Sequence, residues 1–172
     1  MSTYRRVYSP GGTYFFTLVT WRRRHLLASE ERVAMLREAF AHIKRERPFS
    51  VDAAVILPEH LHCILRLPRG DSDYPGRWRE IKKRFSGQVD TRTNAFGERP
   101  VWQRRYYEHL VRDDEDWRRH MDYIHYNPVK HGLVERVADW PWSSFRQSVA
   151  RGWYPEDWGS VAPEAIEGVE LE

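Results

Sequence analysis

Cysteine is nearly missing from this sequence. Cys63 is the single example in 172 residues, which excludes an internal disulfide and suits a reducing cytoplasm. Its neighbours Leu61, His62, Ile64 and Leu65 read as a strand, so Cys63 is expected to be a packed thiol rather than a nucleophile. No apolar run is long enough to cross a membrane, and no apolar signal region follows Met1–Arg6. Internal repeats and low-complexity segments are lacking too. Basic residues stop at Arg151, and beyond Tyr154 come only acids: Glu156, Asp157, Glu164, Glu167, Glu170 and Glu172. The net charge of +3 therefore hides a body of +9, from 28 basic against 19 acidic residues (25 less those 6). A basic body suits a polyanion, because neutralised phosphates release counterions, although an ordinary solvated surface has the same composition. The acidic end fits either a solvating tail or a strip laid over the basic face in place of nucleic acid.

What is abundant is aromatic. Phe, Trp and Tyr make up 14% of the chain, with eight Trp and nine Tyr. Many stand beside arginine: Trp21-Arg22, Arg77-Trp78-Arg79, Arg104-Arg105-Tyr106-Tyr107 and Trp117-Arg118. Aromatic faces stack on unpaired bases while arginine holds phosphate; core aromatics next to surface charges give the same pattern. Trp102 and Trp142 are expected in the core.

The order of elements follows from periodicity. Thr13–Trp21 is β-branched and aromatic after Gly11-Gly12 and reads as a strand. Ser29 is placed to cap a helix whose apolar stripe is Val33, Leu36, Phe40 and Ile43. Phe49–Leu57 and His60–Leu67 read as a hairpin turned at Pro58-Glu59. A polar loop over 70–75 precedes a basic amphipathic helix carrying Trp78, Ile81, Lys82 and Phe85. After a second loop, 90–100, Val101–Val111 reads as a fourth strand. A third helix starts at Asp113 or Asp114, and Pro128 should stop it, since proline pushes the preceding residue out of helical geometry. A shorter helix opens near Pro141–Phe145. The fold predicted is α+β: a ferredoxin-like βαββαβ arrangement with a four-stranded antiparallel sheet, plus C-terminal helix. One domain over 1–159 and an acidic tail over 160–172 are expected.

Two short patterns carry chemistry. His60-Leu61-His62 on a strand would set two imidazoles on one face with Leu61 turned to the other. Such a pair can grip a metal, but alone it is a weak signal, because two surface histidines flanking an apolar residue are common. Tyr123 and Asn127 lie four apart, on one helical face. A phenol can become a covalent nucleophile, and an amide oxygen can ligate a hard cation. The same spacing suits a core tyrosine and an Asn that caps the helix before Pro128. His120 and Asp116 share that face as candidate supporting groups. Tyr126 is a rival nucleophile, rotated onto a neighbouring face.

Together, and in this element order, the patterns resemble a known family. Pro58-Glu59-His60-Leu61-His62 resembles the His-hydrophobic-His metal motif of one-tyrosine, single-strand transposases. Trp102-Gln103-Arg104-Arg105-Tyr106-Tyr107-Glu108-His109 is similar to their fourth strand. Tyr123-Ile-His-Tyr-Asn-Pro-Val-Lys-His-Gly132 resembles the tyrosine helix of one branch, the REP-associated tyrosine transposases, and Trp140-Pro-Trp-Ser-Ser-Phe145 the segment after it. The resemblance spans roughly Gly11 to Gly159 and is most specific around Tyr123. Insertion-sequence relatives tend to carry Gln four residues after the tyrosine, so Asn127 favours the REP-associated branch.

The resemblance implies that Tyr123 is the nucleophile and that His60, His62 and Asn127 are metal ligands. Two imidazoles and an amide oxygen suit Mg²⁺ or Mn²⁺, the nitrogens favouring Mn²⁺. The expected activity is cleavage and transfer of single-stranded DNA at repeated extragenic palindromic hairpins, through a 5′-phosphotyrosine. The proton acceptor is open among His120, His125 and water. Expected phosphate contacts are Arg77, Arg79, Lys82, Lys83, Arg84, Arg104, Arg105, Arg118 and Arg119. The implied setting is the bacterial cytoplasm, associated with the nucleoid, with a monomer preferred over a homodimer. The alternative is a non-catalytic hairpin-binding protein of the same fold, which would have no need of all four site residues. A relaxase or replication initiator would bring added domains or a different motif order.

Overall fold

The structure is a computed structural model and describes residues 5–98, 100–166 and 171. Strand β1 (Thr13–Val19) leads through helix α1 (Glu30–Glu46) to β2 (Ser50–Ile56) and β3 (His60–Arg66). Helix α2 (Tyr74–Gln88), strand β4 (Tyr107–Leu110), helix α3 (Asp114–Lys130) and short helix α4 (Phe145–Ala150) follow. The strands form one antiparallel sheet in the order β2-β3-β1-β4. The expected βαββαβ arrangement is present, with α3 and α4 added after it.

Both sheet faces are covered, which is why every residue of β1 after Thr13 is buried rather than every second one. Tyr14, Phe16 and Leu18 of β1 join Leu61, Cys63 and Leu65 of β3 beneath α1 and α2. Phe15 and Ile64 point the other way, against Met121, Tyr123 and Ile124 of α3. Cys63 is the buried thiol expected, and burial pushes its pKa well up. Helix starts follow the capping residues. Ser29 accepts a bond from Arg32 N–H (3.2 Å), Asp73 from Gly76 N–H (2.9 Å) and Asp113 from Asp116 N–H (2.8 Å). Acids in the first turn of α3 (Asp114, Glu115, Asp116) complement its dipole.

Two expectations are corrected. Pro128 does not stop α3, which runs on to Lys130. Proline removes only the donor that would reach back to Ile124, and the chain resumes helical bonding at once, with His131 N–H on the Asn127 carbonyl (3.0 Å). The fourth strand does not run from Val101 to Val111. Thr17 pairs with Tyr107, whereas Thr20 pairs with Trp102, so the later chain carries two more residues between those pairs than a regular ladder allows. The surplus bulges at 104–106 and leaves Arg104 and Arg105 exposed. Beyond α3, Ile56 N–H donates to the Trp142 carbonyl and Ser144 N–H to the Ala54 carbonyl (2.9 Å each), covering part of the β2 edge. The start of the acidic tail is part of the fold: a turn over Glu164–Ile166 packs Ile166 into the α3-side core. Glu167, Glu170 and Glu172 lie outside the described residues. Among the described residues no helix is long and apolar enough to cross a membrane.

Candidate active site

Strand alternation puts His60 and His62 on the α3 face of a central strand, their rings 4.8 Å apart. Helix α3 crosses them with a stripe of residues at spacings of three and four: His120, Tyr123, Asn127, His131. The Tyr123 ring lies 5.2 Å from His62, and the His131 ring 5.2 Å from His60. Asn127 sits on the helix midway between those two contacts. The helix thus lays Tyr123, Asn127 and His131 along the histidine pair in antiparallel sense. Tyr123 is 1% exposed and packs edge-on to Phe15. Its hydroxyl accepts from the Lys130 amine at 3.4 Å and from the Leu171 backbone N–H at 3.3 Å, with the amine also 4.9 Å from the ring centre.

Each histidine is held from behind. His60 Nδ1 is 3.0 Å from a Glu59 carboxylate oxygen. His62 Nδ1 is 2.8 Å from the Thr17 hydroxyl, which lies opposite it in the β1–β3 ladder. Thr17 has one proton, and it donates that proton to the Leu171 carbonyl at 2.7 Å. Towards His62 it can then only accept, so the proton sits on Nδ1 and the Nε2 lone pair is bare. Burial, aided by the positive potential of His60, His131, Lys130 and Arg23, holds the His62 pKa well below its ordinary value. His62 is therefore a neutral imidazole with an available nitrogen.

The donor set fits a divalent cation. The His62 Nε2 and both amide atoms of Asn127 belong to fully buried side chains, yet make no hydrogen bond among the described residues. Leaving such atoms without partners costs roughly 1–3 kcal/mol each; a ligand role accounts for His62 Nε2 and Asn127 Oδ1, the two that offer lone pairs. Carboxylate or hydroxyl support behind a ligating imidazole is the usual way its tautomer and orientation are set. Sequence reasoning passed over Glu59, Thr17, Lys130 and His131. The i, i+4 step from Asn127 to His131 was a readable signal; the pairing of Thr17 with His62 required the register.

Other candidates fall elsewhere. His109, Asp116 and His120 bring potential ligand atoms within 4.8 Å of one another, but Phe15 stands between them and the histidine pair. Their bonds are already made. Asp116 accepts from His109 Nε2 (2.7 Å), Arg112 N–H (3.0 Å) and the Arg112 guanidinium (3.2 Å), and its carbonyl accepts from His120 Nδ1 (2.7 Å). Burial raises the Asp116 pKa, but those bonds outweigh it and hold the carboxylate ionised. His120 and Asp116 thus support the β4–α3 junction rather than the histidine pair. His125, a candidate proton acceptor, instead bonds Ser144 Oγ (3.1 Å) and packs on Phe145 and Tyr154; burial lowers its pKa to about 3. Tyr126 turns to Trp158.

Among the expected phosphate contacts, Arg77 is a correction. It is 2% exposed, its guanidinium bonding both Asp71 oxygens and the Arg47, Pro48 and Asp73 carbonyls. A helix residue facing the core must satisfy its charge inside, and this one does. Lys82 donates to the Gln103 carbonyl and Arg84 pairs with Glu38. Arg79, Lys83, Arg104, Arg105, Arg118 and Arg119 are exposed. Helix α2, and with it Arg79 and Lys83, lies on the opposite sheet face from Tyr123.

No family model matches the chain. A REP-associated tyrosine transposase of Escherichia coli K12 is 52% identical over 158 residues, 92% of this chain and 91% of the relative. A protein of Haemophilus influenzae bearing the same family name is 42% identical over 175 residues, 98% of this chain and 99% of the relative. A solved structure of a REP-associated tyrosine transposase bound to a REP hairpin superimposes with a TM-score of 0.83 at 50% identity, covering 95% of this chain and 94% of that one.

Proposed function

The chain belongs to the REP-associated tyrosine transposases, and we propose that it is a metal-dependent, single-strand DNA endonuclease and strand-transferase. It acts beside repeated palindromic hairpins, the kind of DNA held by the similar solved structure. The observation that carries this reading is the arrangement of Tyr123 against His62, with His60 beside it and Asn127 on the same helical stripe. Two lone-pair atoms near the phenol, His62 Nε2 and Asn127 Oδ1, make no hydrogen bond among the described residues, which favours an enzyme over a hairpin-binding protein.

His60, His62 and Asn127 would hold the ion, with His131 adjacent to His60. Mn²⁺ or Mg²⁺ bound there would neutralise charge on the non-bridging oxygens of the phosphate and orient the leaving oxygen. The protein's own groups do the rest. Tyr123 Oη attacks phosphorus in line; the new bond is Oη–P and the broken bond is P–O3′. The DNA leaves a 3′-hydroxyl and a 5′-phosphotyrosine, which keeps the bond energy for rejoining. The ordinary tyrosine pKa is about 10, so the oxygen needs help to carry charge. The Lys130 amine, 3.4 Å away, supplies it by donating to the developing phenolate. With His120 and His125 bonded elsewhere, water takes the phenol proton as the Oη–P bond forms and returns a proton to the departing 3′-oxygen. Leu171 N–H occupies the hydroxyl in this conformation, so the DNA must displace it to reach the nucleophile.

The test is incubation with single-stranded palindromic oligonucleotides and Mn²⁺, followed by denaturing electrophoresis and peptide mapping. A covalent band whose nucleotide sits on Tyr123 is expected. No band, or a nucleotide on another tyrosine, overturns the reading.

A further inference from the structure

The loop after β1 lands at the mouth of the histidine pair. Thr20 N–H donates to the Glu59 carbonyl at 2.8 Å, and its hydroxyl lies 2.6 Å from the Arg24 carbonyl and 2.9 Å from that of Glu59. Trp21 N–H reaches the Val101 carbonyl and Leu27 N–H the Pro58 carbonyl, each at 2.9 Å. The loop is therefore bolted to the turn that carries Glu59, whose carboxylate supports His60. The Arg23 guanidinium points at the same carboxylate oxygen from 3.9 Å.

This loop is strained where it is most basic. Arg22 has φ 54° and ψ 29°, and Arg23 has φ 51°. Both are left-handed conformations, which glycine adopts freely and arginine only at a cost. Two consecutive arginines held there by surrounding bonds are the kind of stored strain that clusters at ligand-binding positions. The strain turns cations outward: Arg22, Arg23 and Arg24 are exposed, Trp21 is 37% exposed, and the Arg22 guanidinium lies 5.7 Å from the Trp21 ring centre. Among the described residues, neither Arg22 nor Arg24 has an acidic partner.

From this geometry we infer that Trp21–Arg24 grips the unpaired DNA between the hairpin and the scissile phosphate. Trp21 stacks on a base, Arg22 and Arg24 hold backbone phosphates, and Arg23 ties the grip to Glu59 and so to His60. An exposed indole framed by guanidiniums suits a single strand, because only an unpaired base offers a face to stack on. Its bonds to the turn at Glu59, and the reach of Arg23 to the carboxylate that supports His60, place it at the His60 end of the sheet and assign it to the strand entering the site and not to the stem. This rests on reading Tyr123 and the histidine pair as the cleavage site.

The experiment is a binding titration in EDTA, by fluorescence anisotropy, with a palindromic hairpin carrying single-stranded flanks and with the same hairpin trimmed flush. The wild-type chain should bind the flanked hairpin more tightly. Trp21→Ala should lose about tenfold on the flanked DNA, the range of one base stack, and less than twofold on the flush hairpin. Arg22→Ala with Arg24→Ala should lower the salt slope for flanked DNA by about 1.4, two single-strand phosphate contacts. Arg22→Gly should raise the melting temperature by about 2 °C while weakening flank binding, opposite signs that a merely structural loop would not give. Equal losses on both DNAs, no loss on either, or a wild-type chain indifferent to the flanks each overturns the inference. The titration reads binding alone and the other test reads covalent adduct, so the two outcomes are separate.

Discussion

Thr17→Val isolates the support behind His62. Valine keeps the volume and β-branching that suit a strand, so only the hydroxyl goes. In the native protein that hydroxyl accepts from His62 Nδ1–H at 2.8 Å while donating to Leu171, and the residue is 1% exposed. Its loss leaves a buried donor without an acceptor, costing roughly 1–3 kcal/mol. For a chain of this length that is a fall of about 3–10 °C in melting temperature. The imidazole also loses what fixes its tautomer, so metal affinity should fall about 10–100-fold. The assay is the yield of covalent protein–DNA adduct against Mn²⁺ concentration, with Thr17→Ser as the variant that keeps the hydroxyl. The valine variant should need far more Mn²⁺ for half-maximal adduct, and serine should restore most of the affinity. An unchanged Mn²⁺ midpoint in a folded valine variant would refute both the Nδ1–H assignment and the ligand role built on it.

Tyr123→Phe should fold, bind hairpin DNA and yield no covalent adduct; a core tyrosine would give a nearly silent change, so adduct yield separates the two. Asn127→Ala or chelation with EDTA should abolish cleavage while hairpin affinity stays within a few-fold, and full cleavage in EDTA refutes metal dependence. Lys130→Met should slow adduct formation about 10–100-fold, with the loss shrinking as pH rises towards the ordinary tyrosine pKa of about 10; a pH-independent loss would point to a packing role. Acid should destabilise the fold. His125 has a folded pKa of about 3 against 6.5 ordinarily, so the unfolded chain binds the extra proton and stability falls from pH 6.5 down towards 3. At pH 5 that amounts to about 2 kcal/mol from His125 alone, with His62 and His120 shifted in the same direction. A melting temperature flat between pH 7 and 5 would contradict it.

How much of this was legible in the sequence depended on whether a feature was local. Caps at Ser29 and Asp113, the hairpin turn at Pro58-Glu59 and the alternation of His60, Leu61 and His62 are set by neighbours along the chain. They were readable for that reason. The errors arose where tertiary context overruled a local rule. Pro128 lost one donor without ending a helix that the sheet already held. The 104–106 bulge was invisible because β-propensity does not register two surplus residues. Arg77 looked like a phosphate contact, since a basic residue in an amphipathic helix normally faces water, yet Asp71 and three carbonyls make a buried guanidinium tolerable there.

The division of the sheet into two faces explains why the site was harder to read than the fold. Beneath α1 and α2 the buried side chains are mainly apolar, and the charged ones, Arg77 and Glu108, are ion-paired; apolar periodicity is what sequence reading detects. Beneath α3 the same sheet buries Thr17, His60, His62, His120 and Asn127. Each buried polar group costs free energy unless it is bonded. Thr17 and His120 have their bonds, whereas His62 Nε2 and the Asn127 amide have none among the described residues. A face selected only for stability would replace those atoms with apolar ones at little loss of volume. Their retention, on a strand and a helix contributed by distant parts of the chain, marks where stability yields to chemistry, and Tyr123 lies against that spot.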